Sequence, residues 1–296
     1  MRFLIISFCK NLKGNGVKLS KPFFVLSITL LAATVQAQSN DLVAVVAPVA
    51  DAGVKAVPPA LSAWPVTANV TLASQYVSRG LRQTWGEPAL QGGFDYVHSS
   101  GISAGMWLSN VSNRYIENGT IEWDLYGGYT GAAGDLGYSG IVYYYKYPGA
   151  VYAATNTKYD YGELSLGLTY KFLYGKYNYT YTKDSFGITD ARGTGYLDLG
   201  ANYDMGSGYI LNLHYGIGQV ASNGAVDNSI YNWDDYKVGV SKSFEGGWTL
   251  AGAYTKAKGA TNVYDNYTTG ALNSAGVAET SNPTAGTFVL ALTKTF

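Results

Sequence analysis

Cysteine is nearly absent from this chain: Cys9, close to the N-terminus, is the only one. That excludes disulfides as the device that holds the fold, although exported domains commonly use them, and it excludes metal binding through thiolates. Histidine is as scarce, with His98 and His214 alone, so there is no His cluster to ligate a metal. His98 sits beside Ser99 and Ser100, but strand neighbours point to opposite faces and do not converge as a triad must. No serine falls at a strand position matching His214, and both histidines read as ordinary rim or lumen residues. Glu122 and Asp124 share one strand face about 7 Å apart, yet nothing else converges on them. The expectation is no enzyme, no catalytic residue, no cofactor and no metal. Charged residues make up only 14% of the chain, without a basic field, so nucleic acid is not an expected partner.

Long apolar runs are missing after residue 37. Before it, Arg2, Lys10, Lys13, Lys18 and Lys21 precede an apolar stretch from Pro22 to Val35, and Val35-Gln36-Ala37 places small or branched residues at −3 and −1 of a cleavage site. The stretch is shorter than the ~20 residues that span a bilayer, so residues 1–37 are expected to be a removable signal peptide. The next most apolar segment, 41–61, is broken by Pro48, Asp51, Lys55, Pro58 and Pro59, and residues 38–63 read as an extended Ala/Val/Pro periplasmic linker. Five of the 20 basic residues but none of the 20 acidic ones precede residue 38, which leaves the exported part about five charges negative.

What the chain does have is tyrosine (27), glycine (37) and a period of two. From residue 66 to Phe296 about twelve short strands carry apolar residues at alternate positions. Their connections alternate between tight (99–101, 131–134, 171–172, 204–208, 245–247) and long and polar (79–88, 112–119, 148–158, 183–194, 219–230, 257–285). One apolar face runs through Val66, Ala68, Val70, Leu72 and Tyr76 on strand 1, and through Ile121, Trp123, Leu125 and Tyr129 on strand 4. It continues through Leu164, Leu166, Leu168 and Tyr170 on strand 6 and through Phe288, Leu290, Leu292 and Phe296 on strand 12. The opposite face is Gly, Ser, Thr, Asn and acids. Trp107 falls on that polar face against the pattern, and the Tyr-rich strands 5 (Tyr143, Tyr144, Tyr145) and 7 (Tyr177, Tyr179, Tyr181) leave their facing open.

An even strand count with short turns at one end and long loops at the other points to an all-β, antiparallel up-and-down transmembrane barrel over residues 64–296. With no spanning helix, only a closed barrel pairs every backbone polar group inside a bilayer. The apolar face, ending in Tyr76, Trp123, Tyr170, Tyr203, Trp248 and Phe244, is assigned to lipid. The polar face is too small to pack a soluble core and is assigned to the lumen. Both mature ends and the short turns are then periplasmic, and the long loops extracellular.

The lumen set is Arg79, Asp95, Glu122, Asp124, Glu163, Asp198, Asp235 and Lys237. Six acids against two bases suggest a mild preference for cations, and small hydrophilic solutes are the expected cargo. Twelve strands give a narrow lumen, so an open pore and a plugged scaffold both stand. Arg79 precedes a loop with Arg82, Trp85 and Glu87; it reads as a rim residue paired with Glu87 or a neighbouring carboxylate, the alternative being a constriction that holds an anionic solute. Loop 257–285 is either a mobile connection or the business end of a surface receptor or adhesin.

Residues 67–110 (TANVTLASQYVSRGLRQTWGEPALQGGFDYVHSSGISAGMWLSN) resemble the opening of the TorF family of porin-like outer-membrane proteins. Further matching blocks are IEWDLYGGYTG (121–131), YSGIVYYYKYPGA (138–150), YDYGELSLGLTY (159–170), YKVGVSKSF (236–244) and LALTKTF (290–296). The resemblance covers nearly all of 64–296 and implies a bacterial outer-membrane barrel that passes solutes. A last strand ending in Phe296 resembles the signal read by barrel-assembly machinery, which with outer-membrane lipid is the expected partner. Lys294 departs from that signal at a position more often aromatic, and near the rim its ammonium can snorkel to water.

Overall fold

The computed structural model describes residues 66–296; the expected signal peptide and linker lie outside the described residues. Twelve antiparallel strands close into one barrel. They are β1 Val66–Ala73, β2 Ala89–Val97, β3 Ile102–Asn110, β4 Ile121–Ala133, β5 Leu136–Lys146 and β6 Tyr161–Tyr170. The second half comprises β7 Leu173–Thr180, β8 Gly195–Gly206, β9 Tyr209–Gln219, β10 Trp233–Phe244, β11 Trp248–Gly259 and β12 Thr287–Thr295. Each strand pairs with its sequence neighbours, and β1 closes on β12 from Asn69↔Thr295 to Ala73↔Ala291. Closure removes the exposed strand edges that an open sheet must protect. A buried Thr71 Oγ1–Thr293 Oγ1 hydrogen bond of 2.8 Å crosses the seam.

The turns explain the connectivity. Ser207 (φ 54°) and Gly208 (φ 79°) both adopt left-handed backbone, the type I′ geometry whose twist matches antiparallel strands. The other short connections are 98–101, 134–135, 171–172 and 245–247, all at one end of the barrel. The opposite end carries the loops 74–88, 111–120, 147–160, 181–194, 220–232 and 260–286.

Alternation along the strands is clear. Leu164, Leu166 and Leu168 are exposed on the outside of β6, while Glu163, Ser165 and Gly167 are buried. The exposed apolar belt continues around the barrel through Val238 and Leu290, and its short-turn rim carries Tyr170, Tyr203, Phe244 and Trp248. Lys171, Lys242 and Lys294 lie over the rings of Tyr170, Tyr209 and Trp248 at 5.3, 4.3 and 5.5 Å, so these cations sit on rim aromatics. Lys294 also donates to the Gly246 carbonyl.

Three local expectations change. Tyr76 is not on the outer face: β1 ends at Ala73, the chain turns inward, and Tyr76 is 1% exposed. It packs edge-on against Trp107 (5.4 Å, 66°), so the indole on the polar face belongs to an aromatic cluster inside the barrel. The open facings resolve with Tyr143 and Tyr145 inward and Tyr144, Tyr177, Tyr179 and Tyr181 outward. Loop 260–286 is tied down: Tyr267 and Thr269 hydroxyls donate to the carbonyls of Tyr115 (2.9 Å) and Asn113 (2.8 Å). Arg82 N–H donates to the Pro283 carbonyl at 3.0 Å.

Candidate functional site

The segment after β1 crosses the lumen. Arg79 (φ 49°) and Gly80 (φ 74°) are both left-handed, and the pair projects toward the wall formed by β6 to β11. The Arg79 guanidinium donates to both Glu163 oxygens, at 2.9 and 2.6 Å, in the bidentate geometry that makes such pairs strong. It also lies 4.4 Å over the Tyr196 ring. The Arg79 carbonyl accepts the Trp233 indole N–H at 3.0 Å. At Gly80 any Cβ would come within 2.5 Å of the Asp235 Cβ and 2.7 Å of the Ala257 Cβ, so only glycine allows this approach. Arg79 is therefore paired with a carboxylate, but inside the barrel rather than at the rim, and with Glu163 rather than Glu87, which binds Arg114 at 2.8 Å. The loop carries the guanidinium across the barrel, a placement that local pattern does not encode.

Beside this strut lies a buried acid–imidazole cluster. His214 Nδ1 is 2.9 Å from Asp198 Oδ1 and Nε2 is 2.7 Å from Asp235 Oδ1. The Tyr196 hydroxyl donates to Asp235 Oδ2 at 2.8 Å. Only a doubly protonated ring supplies a proton to both carboxylates. Register explains the convergence: Gly216 on β9 stands directly opposite Asp198 on β8 and Asp235 on β10. Both acids thus lie on the diagonal from His214, within reach of long side chains. Lys176 on β7 is 3.8 Å from Asp198. It is an inward base that the sequence reading did not name, because the facing of that strand was open; counting in twos from the buried Thr180 would have found it. Lys237 stands opposite His214 on the inner face of β10.

A third group occupies β2 and β4. Asp95 accepts the Tyr126 hydroxyl at 2.7 Å and Glu122 accepts that of Tyr147 at 2.8 Å, while Asp124, two residues after Glu122 on the same strand face, is fully buried. All seven strand-borne residues of the expected lumen set thus lie on the inner face, but as separate clusters rather than one ring. Within the short turn, His98 Nδ1 and Ser100 Oγ do meet, at 2.8 Å, because alternation of faces ends where the chain reverses. Both are exposed. Among the described residues no group of three or more His, Cys, Asp or Glu is placed to hold a metal ion.

Above the strut, at the long-loop end, a cavity of about 180 Å³ is walled by aromatic rings, with Arg79 and Glu163 at its floor. Phe186 meets Tyr115, Tyr147 and Tyr159 at 5.2–5.7 Å. Burial pushes the Tyr159 hydroxyl up to about 12 and raises that of Tyr267 further, so these phenols remain neutral hydrogen-bonding groups. On the short-turn side of the strut, Asn202, Asn212 and Ser241 form a hydrogen-bonded chain (2.8 and 3.3 Å) on a half-exposed inner wall. The inward Lys176 side chain is 44% exposed there, so that half of the lumen admits water.

A family model described as "Bacterial protein of unknown function (Gcw_chp)" matches residues 58–296. No curated protein matches the chain. Among solved structures, the KdgM porin aligns at 6% identity and a TM-score of 0.48, over 78% of this chain and 99% of its own. The NanC porin aligns at 8% identity and 0.47, over 77% and 98%. Pseudomonas aeruginosa OccD3 aligns at 14% identity and 0.37, over 77% of this chain and 60% of its own.

Proposed function

The chain belongs to the Gcw_chp family of bacterial proteins of unknown function, and from that premise we propose that it is a porin-like outer-membrane channel of the TorF type, without enzymatic activity, for small hydrophilic solutes. The observation that carries this reading is the inversion of polarity. An unbroken apolar belt, with Leu166 at 56% and Leu290 at 58% exposed, surrounds a lumen of acids, amides and glycines. Soluble proteins rarely expose contiguous apolar surface beyond a few hundred Å², and lipid is the solvent that accepts it. Export by the signal peptide 1–37, recognition of the Phe296 strand by assembly machinery, and long loops facing outward complete the proposal. A second reading, a closed scaffold with receptor or adhesin loops, is favoured by the Arg79 strut alone.

The channel should favour cations mildly. Arg79 neutralises Glu163, and Lys176 and His214 face Asp198 and Asp235. Asp95 and Glu122, by contrast, meet tyrosine hydroxyls, leaving the surplus of carboxylates on the β2–β4 wall. In a potassium chloride gradient across a planar bilayer, the reversal potential is expected on the potassium side of zero. A chloride preference would refute the charge argument, and the absence of any protein-dependent current would refute the channel.

A further inference from the structure

The cavity above the strut has three properties that together select a ligand. Its walls present half-buried aromatic faces from Tyr152, Tyr161, Phe186, Tyr231 and Trp233. Tyr161 is itself fixed by stacking on Tyr145 at 4.5 Å, which makes its ring a rigid platform. Between the rings stand neutral hydrogen-bonding side chains, among them Gln83, Thr155, Ser185, Thr194 and Asn228. The charged residues of the lining are Arg79 and Glu163, and they are consumed in a bidentate pair.

Each property excludes a class. Paired charges leave no free cation or anion to recognise an ionic group, so a carboxylate or an ammonium solute gains nothing at the floor. Asn228 and Thr194 are already hydrogen-bonded within the loops, but the hydroxyls of Thr155 and Ser185 disfavour a purely apolar occupant, which would strip them of water without replacement. Gln83 sharpens the choice: its Nε2 donates to the Leu81 carbonyl at 3.2 Å, and its Oε1 is buried without a hydrogen-bond partner. A buried orphan acceptor costs free energy until a donor arrives, so a turn of this lining side chain toward the cavity favours a ligand that carries donors over one that carries none. A flat face for the rings, several hydroxyl donors, no charge and a size near 180 Å³ describe one pyranose ring. We propose that this cavity is a binding site for a neutral sugar, one pyranose unit at a time.

The inference deepens the channel reading and rests on it for its purpose, since a sugar held at the outer mouth is poised to enter the lumen. Binding itself is independent of conduction and is read at equilibrium. The refolded barrel, in a zwitterionic amine-oxide detergent that has no sugar headgroup, is titrated calorimetrically with methyl β-D-glucopyranoside and methyl β-D-galactopyranoside. Sorbitol supplies hydroxyls without a ring face, and benzoate supplies a ring with a charge. Saturable binding of at least one pyranoside is expected, with sorbitol and benzoate weaker by tenfold or more. Tyr231→Ala, which keeps the carbonyl that accepts the Tyr264 hydroxyl (2.7 Å), should weaken it by roughly three- to tenfold. Gln83→Leu should weaken it comparably, each variant being checked for the heat-modifiable gel mobility of a folded barrel. No saturable pyranoside binding, equal binding of sorbitol or benzoate, or unchanged affinity in both folded variants would overturn the proposal. Loss of conduction with binding intact would overturn only the channel.

Discussion

Arg79→Met lowers the unfolding free energy of the barrel by about 3–5 kcal/mol in equilibrium denaturation from lipid vesicles. The loss is of that size because it strands Glu163, 1% exposed, as a buried charge without its guanidinium. Glu163→Gln is expected to cost a similar amount by leaving Arg79 against Tyr196 without its counter-ion. The double variant Arg79→Met/Glu163→Gln recovers more than half of either loss, since no unpaired charge remains. Additive losses would mean that the two side chains act separately and that the strut is not held by their pairing.

Leu166→Arg tests the solvent of the outer face with nearly as large an effect. Leu166 stands midway along β6 with 56% of its surface exposed. In water such a substitution changes stability by no more than about 0.5 kcal/mol. In lipid a guanidinium near the bilayer centre costs about 2–4 kcal/mol. The larger figure is expected for folding into vesicles, and a neutral result would remove the belt from the membrane.

How much of this was legible in the residues follows from what fixes each feature. The pleat locks every strand residue to one face, so alternation alone placed Asp95, Glu122, Asp124, Glu163, Asp198, Asp235 and Lys237 on the inner wall and located all twelve strands. It failed at Tyr76, where the chain leaves the ladder after Ala73 and periodicity no longer reports facing. It was mute on β5 and β7, because tyrosine suits both a lipid interface and a polar interior and its hydropathy does not alternate. Contacts across the barrel were out of reach. The pairing of Arg79 with Glu163 depends on a loop folding inward, and the His214 cluster depends on the register that sets Gly216 between two acids. Local pattern carries neither.

Single-channel recording of the refolded protein in planar bilayers tests most directly whether the lumen conducts and is narrowed by one cross-barrel strut. Wild type and Arg79→Ala/Glu163→Gln are compared, the variant trimming the side chain at the crossing without leaving a lone charge. Discrete conductance steps in the wild type and larger ones in the folded variant are the predicted result. No steps above the lipid baseline in either protein would contradict a conducting lumen.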